Sequence, residues 1–278
     1  DVLIEDKEYL AHTPSLGCCG LCESGSKVVL VPTPGKKCDY RVQLSKSKKT
    51  YIGVNPKLSE QITKNILNKN LLTNLDIESF ESEVRFKNSR FDFAGVCKDE
   101  SLFILEVKSV PLKCDKHTAF FPDGYRKKKG DPISPRALKH INELRCIKEE
   151  NPDIRCILCF VIPRDDIRQF KVNEDDEIYR KAVQDAWMVG VEILGVNVGW
   201  SKSKAKMIRD DIPVILYDEI GVKSRSLASL KRAKQKENRN IQKDNSREDL
   251  KPVKREVHIP QVITIRELAN RMAEQSSN

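Results

Sequence analysis

No apolar run of about 18 residues occurs in the chain, which excludes a transmembrane helix. The opening residues, DVLIEDKEYLAH, lack the basic and then apolar regions of a signal peptide. The chain starts on Asp1 rather than Met, so processing or truncation can hide residues upstream. No G-x-x-x-x-G-K-[ST] occurs, so GTP binding is not implied. No convincing helix-turn-helix is present, which leaves groove readout of a specific operator unsupported. The nine cysteines are odd in number and come without a secretory signal, so no disulfide framework is expected. Reduced thiols in an intracellular protein are the natural reading.

What is present supports a folded protein. Of 278 residues, 39% are hydrophobic and 33% charged, enough apolar material for a core and a length suited to about two domains. Charge is uneven. Residues 1–200 carry 32 Lys and Arg against 30 Asp and Glu, whereas residues 201–278 carry 18 against 11. The body is nearly neutral and the tail basic, a distribution that attracts polyanions without specifying one. Cys156 and Cys159 lie in the strand-like RCILCFVI and point to opposite faces, so they cannot clasp one ion. Cys18, Cys19, Cys22 and Cys38 sit in or near turns, either as metal ligands or as small loop thiols.

Three zones follow. Residues 1–57 hold five strand-like runs between Gly-, Pro- and Lys-rich turns, which suggests a small OB-like β-barrel. Such a barrel either presents a groove to oligonucleotides or serves only as a packing module. Residues 58–218 read as α-β-β-β-α-β and then α-β, an α/β domain with helices flanking a sheet. Its helices are expected at Glu60–Lys69 with Ser59 as N-cap, from Ser134 or Pro135 to Glu149, and at Glu177–Val189. Residues 219–278 read as a basic linker followed by a short helix, opened by the capping box Thr264-Ile265-Arg266-Glu267.

Candidate chemistry lies on the second and third strands of the middle zone. Strand alternation puts Glu106 and Lys108 on one face and Leu105 and Val107 on the other. Asp92 sits between Phe91 and Phe93, which take the core face. A short turn makes the two strands a hairpin, so Asp92 can approach Glu106. Two carboxylates with nearby backbone carbonyls form a hard-oxygen site suited to Mg²⁺ or Mn²⁺. A lysine on the same face can orient an attacking water beside a phosphate. Charges at alternate positions within the apolar FILEVKSV need partners. Either they form an active site, or Glu106 and Lys108 make a plain ion pair on a sheet face.

The order α-β-β-β-α-β with D-x(13)-E-x-K resembles the PD-(D/E)xK nuclease superfamily. EVRFKNSRFDF (83–93), LEVKSV (105–110), FPDGYR (121–126), RALKHINEL (136–144), FVIPRDDIRQF (160–170) and AVQDAWMVGVEILG (182–195) more closely resemble the sugar fermentation stimulation protein family. HTPSLG (12–17), GSKVVLV (25–31) and YIGVN (51–55) add weaker likeness. The resemblance covers about residues 1–200. It implies an OB-like N-terminal domain, a nuclease-like second domain and DNA binding, with a regulatory role in sugar metabolism. It also implies that Asp92 and Glu106 are metal-site acids, joined by the Val107 carbonyl. Lys108 matches the catalytic-type lysine, and Glu83 the acid preceding S-R-x-D-F. Arg136, Lys139 and His140 match basic positions of the helix after FPD, and Arg164 an arginine ending the fourth strand; these are expected to contact DNA. The insertion Arg126–Ser134, RKKKGDPIS, departs from the family pattern. Two functions follow: a Mg²⁺-dependent phosphodiesterase, or a non-catalytic DNA-binding regulator that keeps the fold. A second resemblance, of KPVKREVHIPQVITIRELANRMAE (251–274), is to a segment near the N-terminus of bacterial-type translation initiation factor two.

Overall fold

A computed structural model describes residues 1–33, 37–86 and 89–217. The turn at Lys87 and Asn88 and the basic linker and helix expected over 219–278 lie outside the described residues.

The N-terminal runs form six short strands: β1 (Val2–Ile4), β2 (Lys7–Tyr9), β3 (Ala11–His12), β4 (Lys27–Pro32), β5 (Tyr40–Ser47) and β6 (Thr50–Gly53). β1 and β2 pair as a hairpin. β5 is the hub of a four-stranded sheet, antiparallel to β4 and β6 and parallel to β3. Its inward residue Val42 packs with Cys18 and Val54 into a small core. Gly53 donates its N–H to the Pro163 carbonyl at 2.8 Å, which fastens β6 to the rest of the fold.

Helix α1 (Pro56–Asn68) begins earlier than the sequence suggests. Asn55 accepts a hydrogen bond from Lys57 N–H and Pro56 fills the first turn, so the cap is Asn55 rather than Ser59. Ser59 is instead buried and donates to Ser109 Oγ at 2.9 Å, pinning the helix start to the end of the third strand.

Six strands form the main sheet: β7 (Ile77–Phe86), β8 (Ser89–Cys97), β9 (Leu102–Ser109), β11 (Arg155–Ile162), β13 (Glu192–Trp200) and β14 (Ala205–Arg209). Their spatial order is β14-β13-β11-β9-β8-β7. β7, β8 and β9 are an antiparallel meander, whereas β9, β11 and β13 run parallel. Leu105 and Val107 of β9 join Ile66 and Leu67 of α1 in the larger core. Helices α2 (Pro135–Glu150) and α3 (Glu177–Val189) pack on each other, and α2 also packs on β11. On that side an aromatic group of Phe121, Phe160, Phe170 and Tyr179 fills the core.

Alternation and capping signals place α2 and α3 almost as expected. Ser134 caps α2 through Ala137 N–H, and Asp176 caps α3 through Tyr179 N–H. A second, three-stranded parallel sheet was not foreseen: β10 (Thr118–Phe121), β12 (Gln169–Val172) and β15 (Val214–Ile215). The mixed α/β, sheet-dominated architecture is that of the expected nuclease-like class.

Candidate functional site

The site is carried by the hairpin of β8 and β9. Phe93 pairs with Leu105 across it, so Asp92 and Glu106 fall on the same side of the sheet, away from α1. β9 is flanked on both edges, by β8 and β11, and Glu106 lies opposite Leu158. The acid is therefore in the sheet interior and only 2% exposed.

The Val107 N–H donates to Asp92 Oδ2 at 2.7 Å, tying the first acid to the backbone of the second strand. Glu106 Oε1 is bonded by both Lys108 Nζ and His140 Nδ1. Lys108 Nζ also lies 3.4 Å from His140 Nδ1. Glu106 Oε2 is buried and has no hydrogen-bond partner among the described residues. Burial opposes ionisation of Glu106, but the His140 bond and the Lys108 ammonium outweigh it and hold the carboxyl below its ordinary value. Asp92 is pushed up to about 7, first by burial and then by the Glu106 charge, against the opposing Val107 bond and Lys108.

Two close carboxylates, Asp92 raised by burial and by the charge of Glu106, and Glu106 with an orphaned buried oxygen, suit a divalent cation. Asp92, Glu106 and the Val107 carbonyl are the groups that could hold it. Among the described residues no three His, Cys, Asp or Glu side chains converge as a ready-made cage, so water or substrate oxygens would complete the shell. The cysteines take no part in such a set. All nine are free thiols, and burial pushes Cys156 and Cys159 up to about 12.

The other expected site residues are dispersed. Glu83 flanks Asp92 on β7, but its side chain is exposed and reaches Arg90 at 3.7 Å. Arg136 and Lys139 lie exposed on α2, and Lys139 also reaches Glu143 at 3.7 Å. His140, expected at the DNA surface, is instead buried against Glu106 and edge-on to Phe91. Arg164 is likewise internal. It is 3% exposed, forks onto Asp166 through Nε at 2.6 Å and Nη2 at 2.9 Å, and gives Nη1 to the Pro111 carbonyl at 2.8 Å. Its guanidinium has no surface to offer DNA.

Two residues near the site escaped the sequence reading. Glu60, on the second turn of α1, is raised by burial and feels Lys57, Glu106, Glu83 and Arg136. The packing of α1 on β9, which includes the Ser59–Ser109 bond, brings it there, and no local pattern announces that contact. Tyr179 is fully buried with an unpartnered hydroxyl, and its acidity is suppressed by burial and by Glu106 and Asp176. It reads as a core aromatic in an amphipathic helix.

Comparison with known proteins follows the same lines. The family model for the sugar fermentation stimulation protein RE domain matches residues 57–204. A sugar fermentation stimulation protein homolog of Crocosphaera subtropica is 33% identical over 205 residues, covering 70% of this chain and 80% of that protein. The SfsA structure of Pyrococcus furiosus, in complex with Ca²⁺, superposes with a TM-score of 0.56 at 20% identity, over 67% of this chain and 76% of that one. Translation initiation factor IF-2 of Pelagibacter ubique is 55% identical over 82 residues. That similarity is longer than the 24 residues noted from sequence. It covers 30% of this chain, yet the chain spans only 11% of the factor.

Proposed function

Because the chain belongs to the sugar fermentation stimulation protein family, we propose that it is a DNA-binding protein whose β8–β9 hairpin cleaves phosphodiester bonds with Mg²⁺ or Mn²⁺. The observation that carries this reading is the buried Glu106 Oε2, left without a partner beside Asp92 because Lys108 and His140 both bond the other carboxylate oxygen. The Ca²⁺ complex of the Pyrococcus furiosus relative supports a divalent-cation site in this fold. Asp92, Glu106 and the Val107 carbonyl would hold the cation, which supplies Lewis-acid polarisation of a phosphoryl oxygen and a more acidic bound water. Lys108 would then turn from Glu106 toward the attacking water. Arg136 and Lys139 would orient the phosphate backbone from α2. Tyr125 is 96% exposed and leads into Arg126, Lys127, Lys128 and Lys129, so the inserted loop offers a stacking ring and four cations to the same ligand.

The test is titration of Mg²⁺ and Mn²⁺ into the full chain by calorimetry, with cleavage of plasmid and oligonucleotide DNA followed in parallel. Wild type is expected to bind and cut. The D92A/E106A double variant is expected to do neither while keeping its fold. Cleavage that survives in the purified double variant overturns the assignment.

A second reading, a non-catalytic DNA-binding regulator, is favoured by one observation. Lys108 and His140 both engage Glu106 Oε1, and Glu83 faces Arg90 rather than the acid pair. In that case DNA affinity depends on the divalent cation but no strand is cut.

A further inference from the structure

His140 lies on α2, far along the chain from the two acids, yet it is 6% exposed and bonded to Glu106 Oε1. A carboxylate oxygen accepts, so the His140 Nδ1–H donates to it. Lys108 reaches the same oxygen from β9 itself. Both donors therefore converge on Oε1, and Oε2 is left bare and buried. A carboxylate fixed at one oxygen by two donors cannot rotate freely. Its remaining oxygen points one way, and a cation needs no reorganisation to use it. Phe91, which precedes Asp92, stands edge-on to the His140 ring at 6.2 Å, so the ring is packed as well as bonded.

We propose that His140 is a positioning residue, which orients Glu106 so that Oε2 is presented to a divalent cation, and that it does not contact nucleic acid. The inference rests on the cation reading of the Asp92–Glu106 pair. Lys108 could not do this alone. It sits two residues from Glu106 on the same flexible-tipped side chain that the proposed reaction draws toward water, whereas His140 is anchored on a separate helix. Partners of this kind typically change metal affinity by roughly 10- to 100-fold when removed.

The experiment uses the full chain, with Mn²⁺ and Mg²⁺ as probes and calorimetry as the readout. The variant H140L keeps apolar bulk against Phe91 but has no donor. H140N places an amide N–H about where Nδ1 stands. H140L is expected to bind Mn²⁺ on the order of 10- to 100-fold more weakly than wild type, and H140N to stay within about threefold. Thermal melts in chelator establish that each variant is folded, and the cation-induced rise in Tm gives affinity a second time without any DNA present. Should H140L not fold, the H140N and H140M pair decides, because Met fills the space without a donor and without a new charge. Equal or tighter cation binding by the folded donorless variant overturns the positioning role and leaves the cation site standing. Absence of binding by folded wild type overturns the cation site and this inference with it. DNA affinity measured in chelator is expected to be unchanged in H140N and H140L. A loss of more than tenfold there returns His140 to the DNA surface and overturns the assignment.

Discussion

Asp92 and Val107 are joined across the hairpin by a 2.7 Å bond from the Val107 amide to Asp92 Oδ2. The bond holds a carboxylate beside Glu106 in spite of their mutual repulsion. Because Asp92 is pushed up to about 7 in the fold, above its unfolded value, its contribution to stability is fullest at low pH. That contribution fades as pH rises through 7, by an amount on the order of a few kcal/mol.

D92N keeps an acceptor for the Val107 amide and removes the charge. In chelator at about pH 8 the variant is expected to melt several degrees above wild type. With Mn²⁺ added the order should reverse, since only wild type gains from the cation. Paired thermal melts check both halves. A D92N protein that melts below wild type in chelator would show that the carboxylate charge is not a burden on the fold.

Asp166 behaves in the opposite sense. Burial would raise it, but Arg164 and Lys113 outweigh burial and push it down to about 2. Its folded value is depressed, so its stabilisation is present above about pH 4 and is lost as pH falls toward 2. D166N strands the buried Arg164 and is expected to cost about 2–4 kcal/mol at neutral pH. The loss should shrink between about pH 4 and pH 2, as urea denaturation at a series of pH values would record.

Gly95 meets β7 closely. A Cβ there would stand 2.2 Å from the Ser79 carbonyl oxygen and 2.7 Å from the Phe103 ring. Backbone cannot yield as a side-chain tip can, so G95A is expected to destabilise by about 3 kcal/mol or more. A lowered urea midpoint is the measure. Gly95 is three residues from Asp92, so weaker cation binding should accompany it.

The inserted loop supplies a test of the nucleic-acid reading. Arg126 Nε donates to the Asp131 carbonyl at 3.1 Å, bending the loop so that its lysines are outermost. Replacing Lys127, Lys128 and Lys129 with Ala is expected to weaken binding of unrelated DNA sequences about equally. The slope of log K against log salt should flatten by as much as about 2–3. An unchanged slope would mean that phosphate binds elsewhere.

The parts of this fold that were legible in sequence are those written locally. Two-residue alternation in RFDF and LEVKS placed the acids and the core residues on their proper faces. Ser134 and Pro135 marked a helix start that the structure keeps, and the expected Glu177–Val189 helix is found with the same bounds. What stayed hidden depends on distant partners. β10 and β12 are four residues each, and neither has a periodicity until the other lies beside it. Arg164, expected at the DNA surface only through the family resemblance, is buried, and an Asp two residues on does not announce the fork that holds it. His140 stands three residues after Ala137 and four before Leu144, within the buried stripe of α2, a signal that its spacing from Arg136 obscured. The helix face that decides it is set by packing on α3 and β11.

Both acids of the site belong to one stretch of chain, with only the short turn between Cys97 and Leu102 separating their strands. Loop closure over so few residues costs little entropy, so the two carboxylates meet as soon as the meander forms. His140 must be delivered later, on a helix that follows a long irregular segment and rests partly on β11 and α3. The acid pair is thus local in the chain, whereas its orientation rests on a partner from a separate helix. The two acids therefore share one hairpin, while the group that gives the second its direction comes from outside it.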